Sequence, residues 1–182
     1  MKKLLFVLCS MASVPLYSSQ PSVAPRIETE KREERENRAA LIRRLSNDLF
    51  VLGQLVAIVE DQVLHREPLI QAADNVFSYL DEIERIKREL PYDAVNQLRT
   101  VGLLKNRLER LVQELFEILT RGVDVVSRNI DRQTGPYALN QQMGDITQLY
   151  NVLAAHLSRD ADYHQRLLTL RGNLFALRQR MA

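Results

Sequence analysis

The sequence predicts an all-α protein: an elongated antiparallel bundle of four long helices with coiled-coil-like heptad packing. Long stretches carry apolar residues that alternate in steps of three and four, and prolines separate these stretches from one another. The six glycines, six prolines and absence of tryptophan leave little material for a turn-rich β architecture. A chain of 182 residues fits one domain that is large enough to bury a core.

The strongest apolar pattern lies between Val101 and Val125, in the predicted third helix. Only Gly122 interrupts its three-four alternation, which would place one apolar seam along the whole helix. A glycine on such a seam would let a neighbouring helix approach closely, which is the interpretation we favour, or would allow a bend. The seam positions are Val101, Leu104, Leu108, Leu111, Leu115, Ile118 and Val125.

The first predicted helix carries an unbroken seam of the same kind. Leu41, Leu55 and Ile58 widen it into a face broad enough to enter a globular core. The helix should end near Arg66, because Pro68 disfavours a helical conformation in the residue before it. The seam positions are Ile42, Leu45, Leu49, Leu52, Val56, Val59 and Val63.

The second predicted helix extends from about Leu69 to Leu90, and Pro91 opens the third, which continues to about Asp131. Both linkers are very short, which favours antiparallel neighbours. The second helix has about half the length of those after it. It therefore cannot cover them completely, and the remaining apolar seam must be buried by the first helix, by a second copy or by a partner.

The fourth predicted helix follows the turn at Gly135-Pro136 and contains two apolar registers that slip near Asp160. We expect one helix from Tyr137 nearly to the C terminus, bent near Asp160. The alternative is a break into two helices, with Ser158 or Asp160 capping the second. The registers are Leu139, Met143, Ile146, Tyr150, Leu153 and Leu157, and then Tyr163, Leu167, Leu170, Leu174, Leu177 and Met181.

The N terminus predicts export. Residues 1–19 are typical of a signal peptide, with two lysines, a short apolar run and then small residues. We expect a linker at 20–25 and one bundle domain at 26–182, and a periplasmic or secreted location. Cys9 would be discarded with the signal peptide. The alternative is a lipoprotein anchored to a membrane through Cys9, although Leu8 stands where a small residue is usual.

Residues 26–40 form a predicted charged helical extension of the domain. Arg32, Arg35 and Arg38 are candidate partner-binding residues in this arm. The alternative interpretation is a solvated helix surface, since acidic and basic residues lie four apart along it.

The charge balance excludes an electrostatic nucleic-acid binder. Removal of residues 1–19 takes Lys2 and Lys3 from the 25 basic residues, which leaves 23 against 23 acidic residues. A neutral chain without basic and aromatic runs lacks the usual footprint of nucleic-acid binding. No cofactor is predicted either, because the sequence contains no phosphate-binding loop.

His156, Asp160 and His164 are candidate metal ligands, because they are spaced four apart and supply two imidazoles and a carboxylate. The site would coincide with the slip in apolar register. The alternative is a polar bend at which histidine caps a helix or pairs with aspartate, since three ligands spread over two turns rarely reach one ion.

The leading functional hypothesis is a non-catalytic scaffold, adaptor or chaperone-like binder. It would act by helix-to-helix contact with a protein partner or by self-association into a homo-oligomer. No nucleophile motif supports an enzyme. The alternatives are a metal-binding protein or hydrolase that uses the candidate ligands, and a lipid-binding bundle at a membrane surface. In the last case arginines would bind anionic headgroups, and the candidates are Arg159, Arg166, Arg171, Arg178 and Arg180.

Overall fold

The computed structural model describes residues 23–66, 68–132 and 135–181. The predicted signal peptide, Cys9 and the first part of the predicted linker lie outside these ranges. Within them the chain is all-helical and contains no strand, which confirms the predicted class. The described residues form five helices rather than four: α1 Val23–His65, α2 Leu69–Glu89, α3 Val95–Asp131, α4 Pro136–Leu157 and α5 Ala161–Met181.

The additional helix arises at Asp160, so the single helix expected from Tyr137 onward is wrong. The helix breaks at residues 158–160, and the Asp160 carboxylate accepts a hydrogen bond from the Asp162 backbone N–H at 2.9 Å. This is an N-cap, which satisfies a donor that the start of a helix would otherwise leave without a partner. The slip in register therefore marks a helix boundary rather than a bend.

One other predicted boundary also moves. Helix α3 begins at Val95 rather than Pro91, because Pro91 belongs to a turn in which its carbonyl accepts from the Ala94 N–H at 3.0 Å. Helix α1 is described from Val23 onward, and the linker at 20–25 stays a prediction.

The chain divides into two compact units after Arg38. The described part of the first unit is the beginning of α1, which includes most of the charged extension, and its side chains from residue 28 onward are exposed. The second unit, Ala39–Ala182, contains the apolar core.

Cross-helix contacts give the directions of α1 and α2. The Arg44 guanidinium lies 2.7 Å from the Glu89 carboxylate. One turn later in α1, the Asp48 carboxylate lies 3.7 Å from the guanidinium of Arg85, which is one turn earlier in α2. The two helices are therefore antiparallel, as the short linker between them predicts.

Helices α3 and α4 are also antiparallel. Asn129, late in α3, donates a hydrogen bond of 3.0 Å to Gln142, early in α4, whereas Gly122 faces Ile146 further along α4. Helix α3 is central to the second unit, because it packs against α2, α4 and α5 and is tied to α1 through Arg107.

The predicted seam of α1 is confirmed as its buried face, with Ile42 half-buried at its beginning. The three residues expected to widen this face are buried less than predicted: Ile58 is 55% exposed, and Leu41 and Leu55 are only half-buried. The buried positions of α1 are Leu45, Leu49, Leu52, Val56, Val59 and Val63.

The predicted seam of α3 is correct as far as Leu115 and wrong beyond it. Val125 is 40% exposed, whereas the next residue, Val126, is completely buried. An α-helix with 3.6 residues per turn drifts around its axis relative to a strict heptad, so the buried stripe moves by one position. The buried residues of this second part are Phe116, Leu119, Val123 and Val126.

Helix α5 is fastened to α3 and α4 by three of the arginines that were candidates for lipid headgroups. The Arg166 guanidinium lies 4.5 Å from the centre of the Phe116 ring, a cation–π distance. Arg178 donates to the Thr147 hydroxyl at 3.3 Å, and Arg180 pairs with Asp131. These contacts show that the three arginines help to hold α5 against α3 and α4.

Candidate functional site

The second unit contains a groove of about 640 Å³ at the beginning of α2. Its floor and walls are mostly aliphatic, and arginines stand at its rim. Helices α2, α3 and α4 all contribute to it. Its main lining residues are Arg66, Leu69, Ile70, Ile118, Leu119, Arg121, Gly122, Val125, Val126, Arg128, Asp145, Ile146 and Leu149.

The groove exists because α2 is too short to cover its neighbours. Helix α2 has 21 residues, whereas α3 has 37, and Leu69 and Ile70 at the first turn of α2 form one wall. The length difference in the sequence predicts uncovered apolar surface of this kind. The structure locates it beside the C-terminal half of α3.

The α3 wall of the groove consists of heptad positions that the core buries only in part. Ile118, Gly122 and Val125 continue the three-four alternation of the first half of α3. Ile118 is half-buried and Val125 is 40% exposed. The groove therefore retains a stripe with the spacing that another helix would pack against.

Gly122 sets how closely α4 approaches this wall. A Cβ atom at Gly122 would lie 3.1 Å from Cγ1 of Ile146 and 3.2 Å from its Cδ1, which is tighter than ordinary van der Waals contact. This confirms the expectation that the glycine permits close packing. Any side chain at this position would also narrow the groove.

The rim of the groove carries more positive than negative charge. Arg66, Arg121 and Arg128 line it, against Asp145 as the acidic group. Arg121 is paired with Glu117 of the same helix at 3.0 Å, which offsets part of its charge, so the excess positive charge comes mainly from Arg66 and Arg128. The rim consequently favours an occupant that carries carboxylates.

Arg66 reaches the rim from an unusual backbone conformation. Its φ of 61° lies in the left-handed region, which side chains with a Cβ rarely adopt. The conformation ends α1, and the Arg66 N–H donates to the Val63 carbonyl at 3.2 Å. Glycine is the usual residue at such a helix end, so an arginine here retains strain and places a cation beside the groove.

Sequence reasoning did not identify these three arginines. Arg121 and Arg128 are seven residues apart and thus share a helix face, but many surface arginines have such a spacing. Arg66 follows the end of α1, and only the folded structure brings it close to Arg121 and Arg128.

The structure does not assemble the candidate metal ligands into a site. The His156 ring stacks on Phe77 with centroids 4.2 Å apart, Asp160 caps α5, and Nδ1 of His164 lies 3.0 Å from the Ser158 carbonyl oxygen. Among the residues that the structure describes, no three histidine, cysteine or acidic side chains could hold a metal ion together. The geometry fits the alternative of a polar helix junction.

Arg32, Arg35 and Arg38, the candidate partner-binding residues, lie in the first unit and are exposed. The guanidinium of Arg32 pairs with Glu36 at 2.9 Å, one turn later in the same helix. Their role in binding a partner stays a prediction.

Comparisons with known proteins do not assign this site. No family model matches the chain, and neither a curated protein nor a solved structure is similar to it. In the described part of the chain, no helix has the combination of length and apolar character needed to cross a bilayer.

Proposed function

We propose that this protein is an exported, non-catalytic binder that accepts an amphipathic helix of a protein partner in the groove. A scaffold, an adaptor and a chaperone-like binder would all work through such a site. The observation that supports this proposal is the partly exposed heptad stripe of Ile118, Gly122 and Val125 along the groove. A partner helix would continue the heptad packing of α3 at the place where α2 no longer covers it.

The charge at the rim defines the partner further. The three arginines favour an apolar stripe flanked by glutamate or aspartate, since opposite charges raise the association rate and exclude basic competitors. A helix fits better than a single acyl chain, because an acyl chain would gain nothing from the three-four spacing of the wall.

The test uses two synthetic helical peptides of about three heptads. Both carry leucine at the seam positions, and the flanking positions hold glutamate in one and lysine in the other. Fluorescence anisotropy should show that the glutamate peptide binds at least about tenfold more tightly than the lysine peptide. Equal affinities would contradict the proposal.

Two pairs of variants connect this binding to the groove. Val125→Asp should abolish it, whereas Val95→Asp on the same helix, where Val95 is 64% exposed, should not change it. Arg128→Glu should weaken binding of the glutamate peptide, and Arg99→Glu, at an exposed position of α3 away from the groove, should leave it unchanged. Loss of binding in both members of a pair would place the site elsewhere.

Dodecanoate separates the lipid-binding alternative. If dodecanoate binds and Val125→Asp removes that binding while neither peptide binds, the groove accepts an amphiphile and not a helix.

Export requires its own measurement. Mass spectrometry of the mature chain from a bacterial periplasm should show loss of about the first 19 residues. A mature chain that begins with a lipid-modified Cys9 would establish the anchored alternative, and an intact N terminus would contradict export.

A further inference from the structure

The outer face of α1 carries a second apolar surface, which lies opposite the buried seam of that helix. Phe50, Val51 and Ile58 are 66%, 48% and 55% exposed. Isolated apolar residues on a surface are ordinary, but these share one face of a single helix. The outer face of α1 consists of seven exposed positions, Asn47, Phe50, Val51, Gln54, Ala57, Ile58 and Asp61.

This outer face is complementary to itself when two copies are placed antiparallel. If Gln54 of one copy lies opposite Gln54 of the other, Phe50 faces Ile58 and Val51 faces Ala57. Within these seven positions every apolar residue then meets an apolar residue, and a large side chain lies beside a smaller one in the second pair. Leu64, which is 75% exposed three residues beyond Asp61, would lie opposite Arg44 at the edge of the interface. Such matching is the requirement for a twofold interface, in which the same patch serves both copies.

The charges at the two ends of the outer face favour the same orientation. Arg43 lies exposed before the apolar residues, and Asp61 lies exposed after them. With Gln54 at the centre of an antiparallel pair, Arg43 of each copy lies opposite His65 of the other and one turn from Asp61, within reach of a long arginine side chain. In a parallel pair Arg43 would lie against Arg43 and Asp61 against Asp61, which like-charge repulsion disfavours. Asp61 has His65 of its own helix at 3.3 Å, a pair that is ionic only when the histidine is protonated.

We propose that a second copy of this chain packs on the outer face of α1, antiparallel and centred on Gln54. One helix pair is smaller than a standard protein interface, so the dimer should form and dissociate with concentration. This interface is separate from the groove and does not depend on the groove's occupant.

Cysteine cross-linking tests the geometry in the full chain that carries Cys9→Ser. Gln54→Cys should form a covalent dimer on oxidation, because the two residues lie at the twofold axis. Arg43→Cys should not, because the two Arg43 residues would be about 33 Å apart at ~1.5 Å of rise per residue. Cross-linking of both variants would show parallel pairing and overturn the proposed orientation. Cross-linking of neither would overturn the interface.

Light scattering over a range of concentrations tests whether the unmodified chain associates. The wild type should change from monomer to dimer, and Ile58→Glu should remain monomeric. Leu168→Glu, at a 47% exposed position of α5, should dimerise like the wild type. A wild type that is monomeric at every concentration, or dimers that survive Ile58→Glu, would overturn the proposal, and circular dichroism would verify that each variant is folded.

A charge exchange gives a readout that misfolding cannot imitate. Arg43→Glu should weaken the dimer by roughly fivefold, as expected for exposed ion pairs, and adding Asp61→Arg should restore it. Failure of the second change to restore dimerisation would contradict the antiparallel charge pairing.

Discussion

Helix α3 continues one heptad series through two different surroundings. In its closed half, Val95–Leu115, every predicted seam residue is buried. In its open half, Phe116–Asp131, Ile118 is half-buried, Val125 is exposed, and burial has moved to Leu119 and Val126.

Polar contacts join the two halves to different helices. The closed half is joined to α2 by Lys105 and Glu84 at 2.7 Å and to α1 by Arg107 and Glu60 at 2.8 Å. The end of the open half is joined to α4 by Asn129 and to α5 by Asp131, whereas Arg121 on the groove wall pairs within its own helix.

The comparison shows that a heptad pattern marks surface that can be buried, whereas the neighbouring helices decide which part of it is buried. Where both α1 and α2 contact α3, the predicted heptad stripe of α3 is the one that is buried. Where α2 has not yet begun and α4 lies close at Gly122, a rotated stripe is buried and the predicted one lines the groove.

The largest expected difference between the halves comes from removing core volume. Leu108→Ala should lower the free energy of unfolding by about 3 kcal/mol, because Leu108 is completely buried and its removal leaves a cavity. Ile118→Ala should cost about 1 kcal/mol, since Ile118 is only half-buried and the groove can relax. Urea denaturation followed by circular dichroism measures both, and equal losses would contradict the division into closed and open halves.

Replacement of glycine by alanine tests how closely α4 approaches α3 in the open half. Gly102→Ala should stabilise the protein by about 1 kcal/mol, the usual helix-propensity gain, because a Cβ there meets nothing within 4 Å. Gly122→Ala should gain clearly less, because Ile146 must move away from the new Cβ. Thermal unfolding compares the two variants, and an equal gain would show that the contact with Ile146 is unimportant.

The Glu60–Arg107 pair should make the closed half sensitive to acid. The hydrogen bond from Arg107 holds the pKa of the Glu60 carboxyl below its ordinary value of 4.5. A lowered folded-state pKa contributes stability above the unfolded-state pKa, and this stability is lost as the pH falls through the folded-state value. Glu60→Gln should therefore cost up to about 1 kcal/mol at pH 7 and nearly nothing near pH 3, given the partial exposure of the pair.

Glu117→Gln is the matched control in the open half, because Glu117 pairs with Arg121 at an exposed position. Its cost in urea denaturation should be close to zero at either pH. A cost for Glu60→Gln that stays constant between pH 7 and pH 3 would contradict the assigned role of the ion pair.

The smallest effect concerns the helix end beside the groove. Arg66→Gly should stabilise the chain by about 0.5 kcal/mol, since the strain of the left-handed conformation disappears and the unfolded state gains entropy in partial compensation. The same variant should weaken binding of the glutamate peptide. Stabilisation with unchanged peptide binding would show that Arg66 has no part in the groove.

Patterns along the chain predicted most helices but not all of their ends. Apolar periodicity located the seam of α1 and most of α2, and it marked residue 160 as exceptional. It did not distinguish a bend from an N-cap there, because both interrupt the register in the same way. Pro91 was misassigned for a related reason, since proline is equally compatible with a helix start and with a turn.

The sequence predicted that some apolar surface of α3 would stay uncovered, but it did not predict where the groove would form or which residues would line it. Helix lengths imply that α2 leaves part of α3 uncovered. The rim requires Arg66 from the end of α1 and two arginines of α3 to meet, and this depends on long-range packing that no local spacing reveals. For the histidine and aspartate series the sequence suggested more than the structure shows. The spacing of these residues suggested a metal site, but His156 stacks on Phe77 and Asp160 caps α5.

By itself the sequence determined that the described residues are helical and which seam of α1 is buried, and it marked residue 160 as exceptional, because these depend on local propensity and on a period of 3.6. Tertiary structure alone decided which stripe of α3 is buried, how closely α4 approaches Gly122 and which arginines border the groove. These properties depend on where helices distant in sequence come to lie, and burial is a property of the neighbours as much as of the residue.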